Sequence, residues 1–180
     1  MLSNSLIPLF FRIFATTLLV LIAAGCSSSL PETAQLVTHS KQAIHLDDTL
    51  QPGPELSPED VVKIQVEALQ NNDSDDTGIE IAFRFASPAN RQATGPLHRF
   101  TYLVKNPTYR PMLNHKLAEY SPIEISGDTA RQRVTITGSD GSANVYLFDL
   151  SRQDTPACSG CWLTDGVSFV PTRQGNLNHI

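Results

Sequence analysis

The cysteine pair in Cys158-Ser159-Gly160-Cys161 offers more chemical options than any other spacing in the chain. Two thiols at this spacing can form a disulfide, act as a redox pair or supply half of a metal site. A redox pair normally has its first thiolate at a helix N-terminus, whereas the residues from Cys161 onward have strand character. A metal would need two further ligands, and no other Cys or His lies nearby in the sequence. The sequence favours a structural disulfide, with inert thiols, redox work and metal binding as alternatives in that order.

A second group of side chains could transfer protons in a pocket. Such an enzyme needs a carboxylate or imidazole with a pKa moved towards neutrality by burial, and a donor for a developing oxyanion. Asp165 or His98 could be the base, and Tyr102 or Tyr146 the donor. The candidate carboxylate and histidine are not closely spaced, so the sequence favours a protein that is not an enzyme and needs no cofactor or metal. The residues expected around a pocket are Arg84, His98, Tyr102, His115, Gln132, Tyr146 and Trp162.

These residues also have ordinary structural explanations. Gln132 could satisfy backbone groups, Trp162 could belong to the core, and His98 could be a solvated residue on a helix face. Ser87 has no Gly-x-Ser-x-Gly turn around it. We therefore expect Ser87 and Pro88 to end a helix, with no nucleophile at this position.

Three helices are predicted ahead of any clear strand. Ser57-Pro58-Glu59-Asp60 supplies an N-cap hydroxyl, a proline at the first helical position and two acids in the first turn. Residues 79–86 fit both helical and strand periodicity, and Asp76 as an N-cap favours a helix there. The third helix is expected between Pro96 and Asn106-Pro107.

The hydrophobic pattern changes to period two from Leu117 onward. Residues 129–138 alternate most cleanly and lead through a Gly-containing turn into residues 144–150, which predicts a β-hairpin. Residues 120–126 and 161–170 are expected to be the neighbouring strands. The prediction is an α+β fold, with three N-terminal helices covering one face of an antiparallel sheet of about four strands.

Composition and charge exclude one large class of partner. The chain has 180 residues, with 13 basic against 18 acidic residues and a formal charge of −5. A protein of this charge has no basic surface that could release counterions from a phosphate backbone, so nucleic acid is not expected as a partner. The length fits one globular domain with attachments, which we place at residues 57–171.

The first 25 residues have the features of a signal peptide. A single positive charge is followed by an apolar run that is too short to span a bilayer comfortably. Ile22-Ala23-Ala24-Gly25-Cys26 resembles the lipobox of bacterial lipoproteins, which implies cleavage before Cys26 and attachment of acyl chains, such as palmitate, to that cysteine. An uncleaved membrane anchor is the alternative. In either case the domain is expected outside the cytoplasm in the cell envelope, where the cysteine pair should oxidise.

The segments on either side of the domain are expected to be unstructured. Residues 26–56 are polar and contain too few apolar side chains to offset the entropy of ordering, which predicts a flexible linker. Residues 172–180 form a C-terminal tail. Ser27, in place of the aspartate associated with inner-membrane retention, favours an outer-membrane lipoprotein that faces the periplasm.

Seven separated segments occur in one order and resemble an uncharacterised family, domain of unknown function 4864, over about residues 57–171. The segments are Ser57-Pro58-Glu59-Asp60-Val61-Val62, Phe85-Ala86-Ser87-Pro88, Thr94-Gly95-Pro96-Leu97, Leu113-Asn114-His115, Gly127-Asp128, Leu150-Ser151-Arg152-Gln153 and Gly160-Cys161-Trp162. The family resembles the cone-shaped folds of the nuclear-transport-factor-2-like (NTF2-like) and ketosteroid-isomerase-like class. That resemblance implies helices and a curved sheet around a pocket, but no established activity.

Folds of this class include isomerases, dehydratases and binding or assembly modules, so the fold does not choose among functions. The leading hypothesis is a non-catalytic, membrane-tethered binding or assembly module for a small-molecule or protein ligand. A small pocket enzyme with an acid/base pair is the first alternative. The second is a structural homodimer formed through the solvated sheet face of Arg131, Arg133 and Thr135, because folds of this class often dimerise there.

Overall fold

The computed structural model describes residues 50–171 of the chain. The predicted signal peptide, the predicted lipidation site at Cys26, most of the predicted linker and the tail at 172–180 lie outside the described residues. The helices are α1 (Pro58–Gln70), α2 (Thr77–Arg84), α3 (Pro88–Thr94) and α4 (Leu97–Val104), with a 3₁₀ turn at Arg110–Met112. The strands are β1 (Leu117–Tyr120), β2 (Glu124–Ser126), β3 (Thr129–Thr137), β4 (Ala143–Thr155) and β5 (Cys158–Val170). None of the helices within 50–171 is long and apolar enough to cross a membrane.

Helix α1 begins where its sequence predicts. The hydroxyl of Ser57 accepts a hydrogen bond from the backbone N–H of Asp60 at 3.1 Å, and the Asp60 carboxylate accepts from the Ser57 N–H at 3.1 Å. This reciprocal capping satisfies two donors that the helix itself cannot pair. The buried face of α1 carries Val61, Val62 and Ile64, and it packs against β3 and β5.

The residues after α1 differ from the prediction in two ways. Residues 77–84 are helical, but Asp76 does not cap the helix: it has φ 65°, and its carboxylate accepts from Lys105 Nζ at 2.6 Å. Asp73 takes the capping role, because its Oδ1 accepts from the Thr77 N–H at 2.9 Å. Ser87 does not merely end a helix, since its hydroxyl caps α3 by accepting from the Asn90 N–H at 3.2 Å. There are therefore four α-helices between residues 50 and 171, and the prediction of three was wrong.

The sheet is antiparallel, with strand order β1-β3-β4-β5 and with β2 also paired to β3. The predicted strand at 120–126 is two short strands that share the β3 edge, one on either side of a break that contains Pro122. A proline lacks the N–H that a continuous ladder needs, which accounts for the break. The sheet has five strands where about four were expected, and the predicted α+β class is confirmed.

The inner face of the sheet and the helices share one hydrophobic core. On β3 the buried residues alternate with exposed ones, and Ala130, Gln132, Val134 and Ile136 point inward. Tyr146, Phe148 and Leu150 continue this face on β4. The opposite face carries arginine and threonine side chains, so one side of the sheet is covered and the other is in water, as the alternation predicts.

Residues 50–56 contact the domain, although the sequence predicts them to belong to the linker. The guanidinium of Arg84 donates to the Leu50 carbonyl at 2.9 Å, and Cys158 Sγ lies 3.9 Å from the Pro52 carbonyl oxygen. Leu50 and Leu56 are half-buried against the core. The segment thus lies beside the end of the β4–β5 hairpin.

Candidate functional site: a cavity between the helices and β5

A cavity of about 260 Å³ lies between the helices and strands β4 and β5. Most of its wall is aliphatic or aromatic, and three aromatic rings contribute to it. The lining residues are Gln65, Leu69, Ala82, Asn90, Ala93, Thr94, Phe100, Leu103, Val104, Tyr109, Met112, Phe148, Asp165, Gly166 and Val167. A concave apolar wall with a few polar groups is the usual form of a small-molecule site.

The buried amide of Gln65 spans the wall between α1, α2 and β5. Its Nε2 donates to the Ala82 carbonyl at 2.8 Å, and its Oε1 accepts from the Thr164 hydroxyl at 2.6 Å. Both ends of the amide are therefore satisfied within the protein. A buried polar group that already has its partners stabilises the wall and does not demand a polar ligand.

Helix α3 is held over the cavity by hydrogen bonds to β5. The Ser87 N–H donates to the Thr164 carbonyl at 2.9 Å, and the Thr164 N–H donates to the Phe85 carbonyl at 2.9 Å. The side-chain amide of Asn90 donates to the same Thr164 carbonyl at 3.0 Å. These contacts extend the edge of β5 for one residue and fix the start of α3 against the strand.

Tyr109 closes the other side of the cavity. Its hydroxyl donates to the Val167 carbonyl at 2.9 Å, and its ring stacks on Tyr146 with centroids 6.1 Å apart. The hydroxyl is therefore occupied by a backbone group. It is not directed at a position where an oxyanion could develop.

A β-bulge places Asp165 at the cavity wall. Leu150 pairs with Thr164 and Asp149 pairs with Gly166, so Asp165 is an extra residue in β5. Its side chain is exposed, and it forms no hydrogen bond or ion pair with any residue in the range 50–171. Asp165 also lines an open groove of about 440 Å³ with residues of β2, β3 and β4, so it stands at the rim of the cavity.

Two further catalytic candidates, His98 and Tyr102, lie elsewhere. His98 is exposed on α4 in a shallow groove with Asp75, Asp76 and Glu80, and it does not line the cavity. Tyr102 is 80% exposed on the same helix. The structure therefore does not bring Asp165, His98 and Tyr102 together.

Three of the expected pocket residues are occupied by structural contacts. Arg84 bonds to the Leu50 carbonyl and lies 3.3 Å from the Glu80 carboxylate. Tyr146 is fully buried and donates to the Thr108 carbonyl at 2.8 Å, and burial raises the pKa of its phenol to about 12. Trp162 is buried in the core. None of the three lines the cavity.

His115 and Gln132 are buried outside the cavity, and each has one polar atom without a partner. The Nδ1 of His115 lies 2.8 Å from the Met112 carbonyl oxygen, and burial lowers the pKa of the imidazole. Gln132 Nε2 donates to the Ser121 carbonyl at 2.8 Å. The His115 Nε2 and Gln132 Oε1 atoms have no hydrogen-bond partner in the part of the chain that the structure describes.

Cys158 and Cys161 are joined in a disulfide, with Cα atoms 5.6 Å apart. The bond lies at the start of β5, immediately after the turn of the β4–β5 hairpin. Cys158 also lines a separate groove with Arg84 and Arg91, so the disulfide is not part of the cavity. Within residues 50–171 no group of three or more His, Cys, Asp or Glu side chains is arranged to hold a metal ion.

Sequence reasoning missed Gln65. Gln65 had a detectable signal, because it lies one turn after Val61 and one turn before Leu69 on the apolar face of α1. A polar residue inside such a stripe needs a buried partner. The sequence does not indicate the partner of Asn90, since Thr164 is 74 residues away.

The family model described as domain of unknown function (DUF4864) matches residues 55–176, more than half of the chain. The chain belongs to this family. Comparisons of the DUF4864 chain with curated proteins and with solved structures gave no match.

Proposed function

We propose that this DUF4864 protein is a membrane-tethered, non-catalytic module of the cell envelope that binds a small apolar molecule in the cavity beneath α3 and α4. The observation that carries the proposal is the cavity itself, about 260 Å³ with a mainly apolar wall. Drug-sized ligands occupy sites of roughly 300–1,000 Å³, so the expected ligand has the size of one or two rings. Placement of the domain in the NTF2-like class belongs to the same proposal.

The polar groups of the wall support binding over catalysis. Gln65, Asn90 and Tyr109 all use their side chains to hold the fold together. A catalytic site needs a donor or base that is directed at the reacting atoms. Among the lining residues, only Asp165 has a polar side-chain group without a partner within residues 50–171.

Ligand-dependent stabilisation tests the proposal. The probe is 1-naphthylmethanol, a neutral two-ring alcohol, and the readout is thermal unfolding of the protein without its leader. A ligand at 100 times its Kd that binds only the folded state adds about 2.7 kcal/mol to the free energy of unfolding. We expect a concentration-dependent rise in Tm.

A pair of alanine variants provides the control. Ala93 lines the cavity from α3, whereas Ala89 is exposed on the same helix and lies outside the lining. Ala93→Phe should fill the mouth and abolish the rise in Tm, while Ala89→Phe should leave it unchanged. An equal rise in both variants, or no rise in the wild-type protein, would refute binding in the cavity.

Tethering is supported by the sequence alone. The leader, Cys26 and the polar segment that follows are the features of a lipoprotein attached to the outer membrane. Several acyl chains on one cysteine would hold the protein without a spanning helix, at about 0.8 kcal/mol for each buried CH₂ group. Mass spectrometry of the protein from the membrane fraction should show a chain that begins at an acylated Cys26, and a chain that still carries residues 1–25 would contradict this.

A pocket enzyme is the second candidate, and the position of Asp165 favours it. A carboxylate at the rim of an apolar cavity could remove a proton from a bound carbon acid. His98 and Tyr102 are too exposed to share such a site. If turnover of a bound substrate is found, Asp165→Asn should abolish it without loss of folding.

Homodimerisation through the solvated sheet face stays a proposal as well. Arg131, Arg133 and Thr135 lie on the face of β3 opposite the core. Sedimentation of the domain at high concentration tests it, since a monomer at all concentrations would count against a dimer.

A further inference from the structure

The cavity has one charged group in its wall. Of its lining residues, only Asp165 has a carboxylate side chain, and the rest are apolar, amide, hydroxyl or phenol side chains. A carboxylate at the edge of an apolar cavity repels anions and attracts cations. The sign of this charge therefore limits which ligands fit.

The Asp165 carboxylate can pair with a ligand, whereas the nearby Asp149 carboxylate is already paired with an arginine. Arg131, which lines the open groove of about 440 Å³ with Asp165, donates through its Nε to the Asp149 carboxylate at 2.6 Å. The bulge leaves Asp165 as the unpaired residue between Thr164 and Gly166, at the rim and in contact with water. No cationic side chain within 50–171 pairs with it, so a ligand could supply the missing cation.

The aromatic rings in the wall also favour a positively charged ligand. The rings of Phe100, Tyr109 and Phe148 line the cavity. Aromatic faces carry negative electrostatic potential and attract cations, at about 0.5–2 kcal/mol for each well-placed contact. An organic cation with an apolar body can thus use the rings and the carboxylate together.

We propose that the cavity takes a small organic amine, with an apolar body among the rings and its ammonium group on Asp165 at the rim. This inference rests on the proposed binding function and names the ligand class for the same site. The other polar residues of the wall shape the cavity but are not expected to bond to the amine, because their polar atoms already bond within the protein. These residues are Gln65, Asn90 and Tyr109.

Three probes with one naphthalene body test the inference: 1-naphthylmethylamine, 1-naphthylmethanol and 1-naphthoate. They carry a positive, a neutral and a negative group, and titration calorimetry gives each Kd. We expect the amine to bind about tenfold more tightly than the alcohol, as for a partly exposed charge-assisted hydrogen bond, and the naphthoate to bind most weakly. Raising the salt concentration should reduce the preference for the amine.

Two charge-matched variants distinguish the outcomes. Asp165→Asn should remove most of the preference for the amine and leave only the part that the aromatic rings supply, whereas Asp75→Asn removes a charge outside the cavity and should preserve the tenfold preference. If the alcohol binds and the amine binds no more tightly, the amine inference fails and the binding function stands. If none of the three probes binds to the folded wild-type protein, both are overturned.

Discussion

Strand β5 is held differently in its two halves. Residues 158–164, which we call the closed half, contain the disulfide and the buried Trp162, Leu163 and Thr164, and residues 50–56 lie beside the hairpin end. Residues 165–170, the open half, begin at a bulge and border the cavity, and Phe169 is 37% exposed. One continuous strand therefore passes from four consecutive buried residues, 161–164, to a half with no buried residue.

This difference shows where the fold can maintain a cavity for a ligand. Thr164 marks the boundary, because it bonds to α1 and to the residues that start α3. The closed half fixes the position of Thr164, and α3 is held from there over the open half. A cavity in a small domain costs packing energy, so the packing of the closed half has to offset it.

Truncation of Trp162, the large buried side chain in the closed half, should lower the free energy of unfolding more than the other changes. Trp162 is 5% exposed, with the Arg152 guanidinium 4.9 Å from its ring centroid. We expect Trp162→Ala to lower the free energy of unfolding by about 3–5 kcal/mol, measured by urea denaturation. The smaller truncation in the open half, Val167→Ala, should cost about 1 kcal/mol, because it removes two methyl groups and Val167 is only half-buried. Equal costs would remove the distinction between the two halves.

Removing the Thr164 hydroxyl, which lies at the boundary between the two halves, should lower the free energy of unfolding. Thr164→Val keeps the shape of the side chain but leaves Gln65 Oε1 buried without a donor. We expect a loss of about 2 kcal/mol in the free energy of unfolding. The double variant Gln65→Leu with Thr164→Val should cost less than the sum of its single changes, since both partners are then absent. Strict additivity would show that the two side chains do not interact.

The disulfide should stabilise the closed half to a limited extent. The crosslink joins residues three apart, and closure of so short a loop contributes about 2 kcal/mol at most in the chain-entropy treatment. Replacing both Cys158 and Cys161 by serine should lower the urea midpoint accordingly. A reductant should do the same to the wild-type protein and nothing to the variant. Two rapidly reacting thiols in the oxidised protein would rule out the disulfide.

Loss of one hydrogen bond in the open half should have the smallest effect. Tyr109→Phe removes the hydroxyl that donates to the Val167 carbonyl. We expect a loss of about 1 kcal/mol, because water can reach that carbonyl from the cavity. Amide hydrogen exchange should then speed up in residues 165–170 while residues 158–164 keep their protection. Faster exchange in both halves alike would mean that they open as one unit.

Local sequence signals predict most of the fold. Ser57-Pro58 marks the start of α1, and the alternation in 129–138 marks β3 and its covered face. Ser87-Pro88 repeats the first signal and does start α3, but the proline was interpreted as the end of the preceding helix. Asp76 shows the limit of such signals. Its carboxylate pairs with Lys105, which is distant in the sequence, and not with the backbone N–H groups of the helix.

The candidate site was less predictable, because long-range register creates it. Asp165 was a candidate on its residue type alone, and its position at the rim depends on a bulge between β4 and β5 that no local pattern encodes. His98 and Tyr102 have suitable chemistry, but the face of α4 on which they lie is exposed. The cavity wall is drawn from every helix and two strands, so its composition emerges only after the chain has folded.

Chemical-shift mapping with 1-naphthylmethanol tests the central claim most directly. Amide spectra of the ¹⁵N-labelled domain are recorded with increasing probe. The account predicts saturable shifts in the open half, including Gly166 and Val167, and in α3 around Ala93, with residues 158–163 unchanged. Saturable shifts confined to the outer sheet face around Arg133, or no shifts at the solubility limit of the probe, would contradict a ligand-binding cavity.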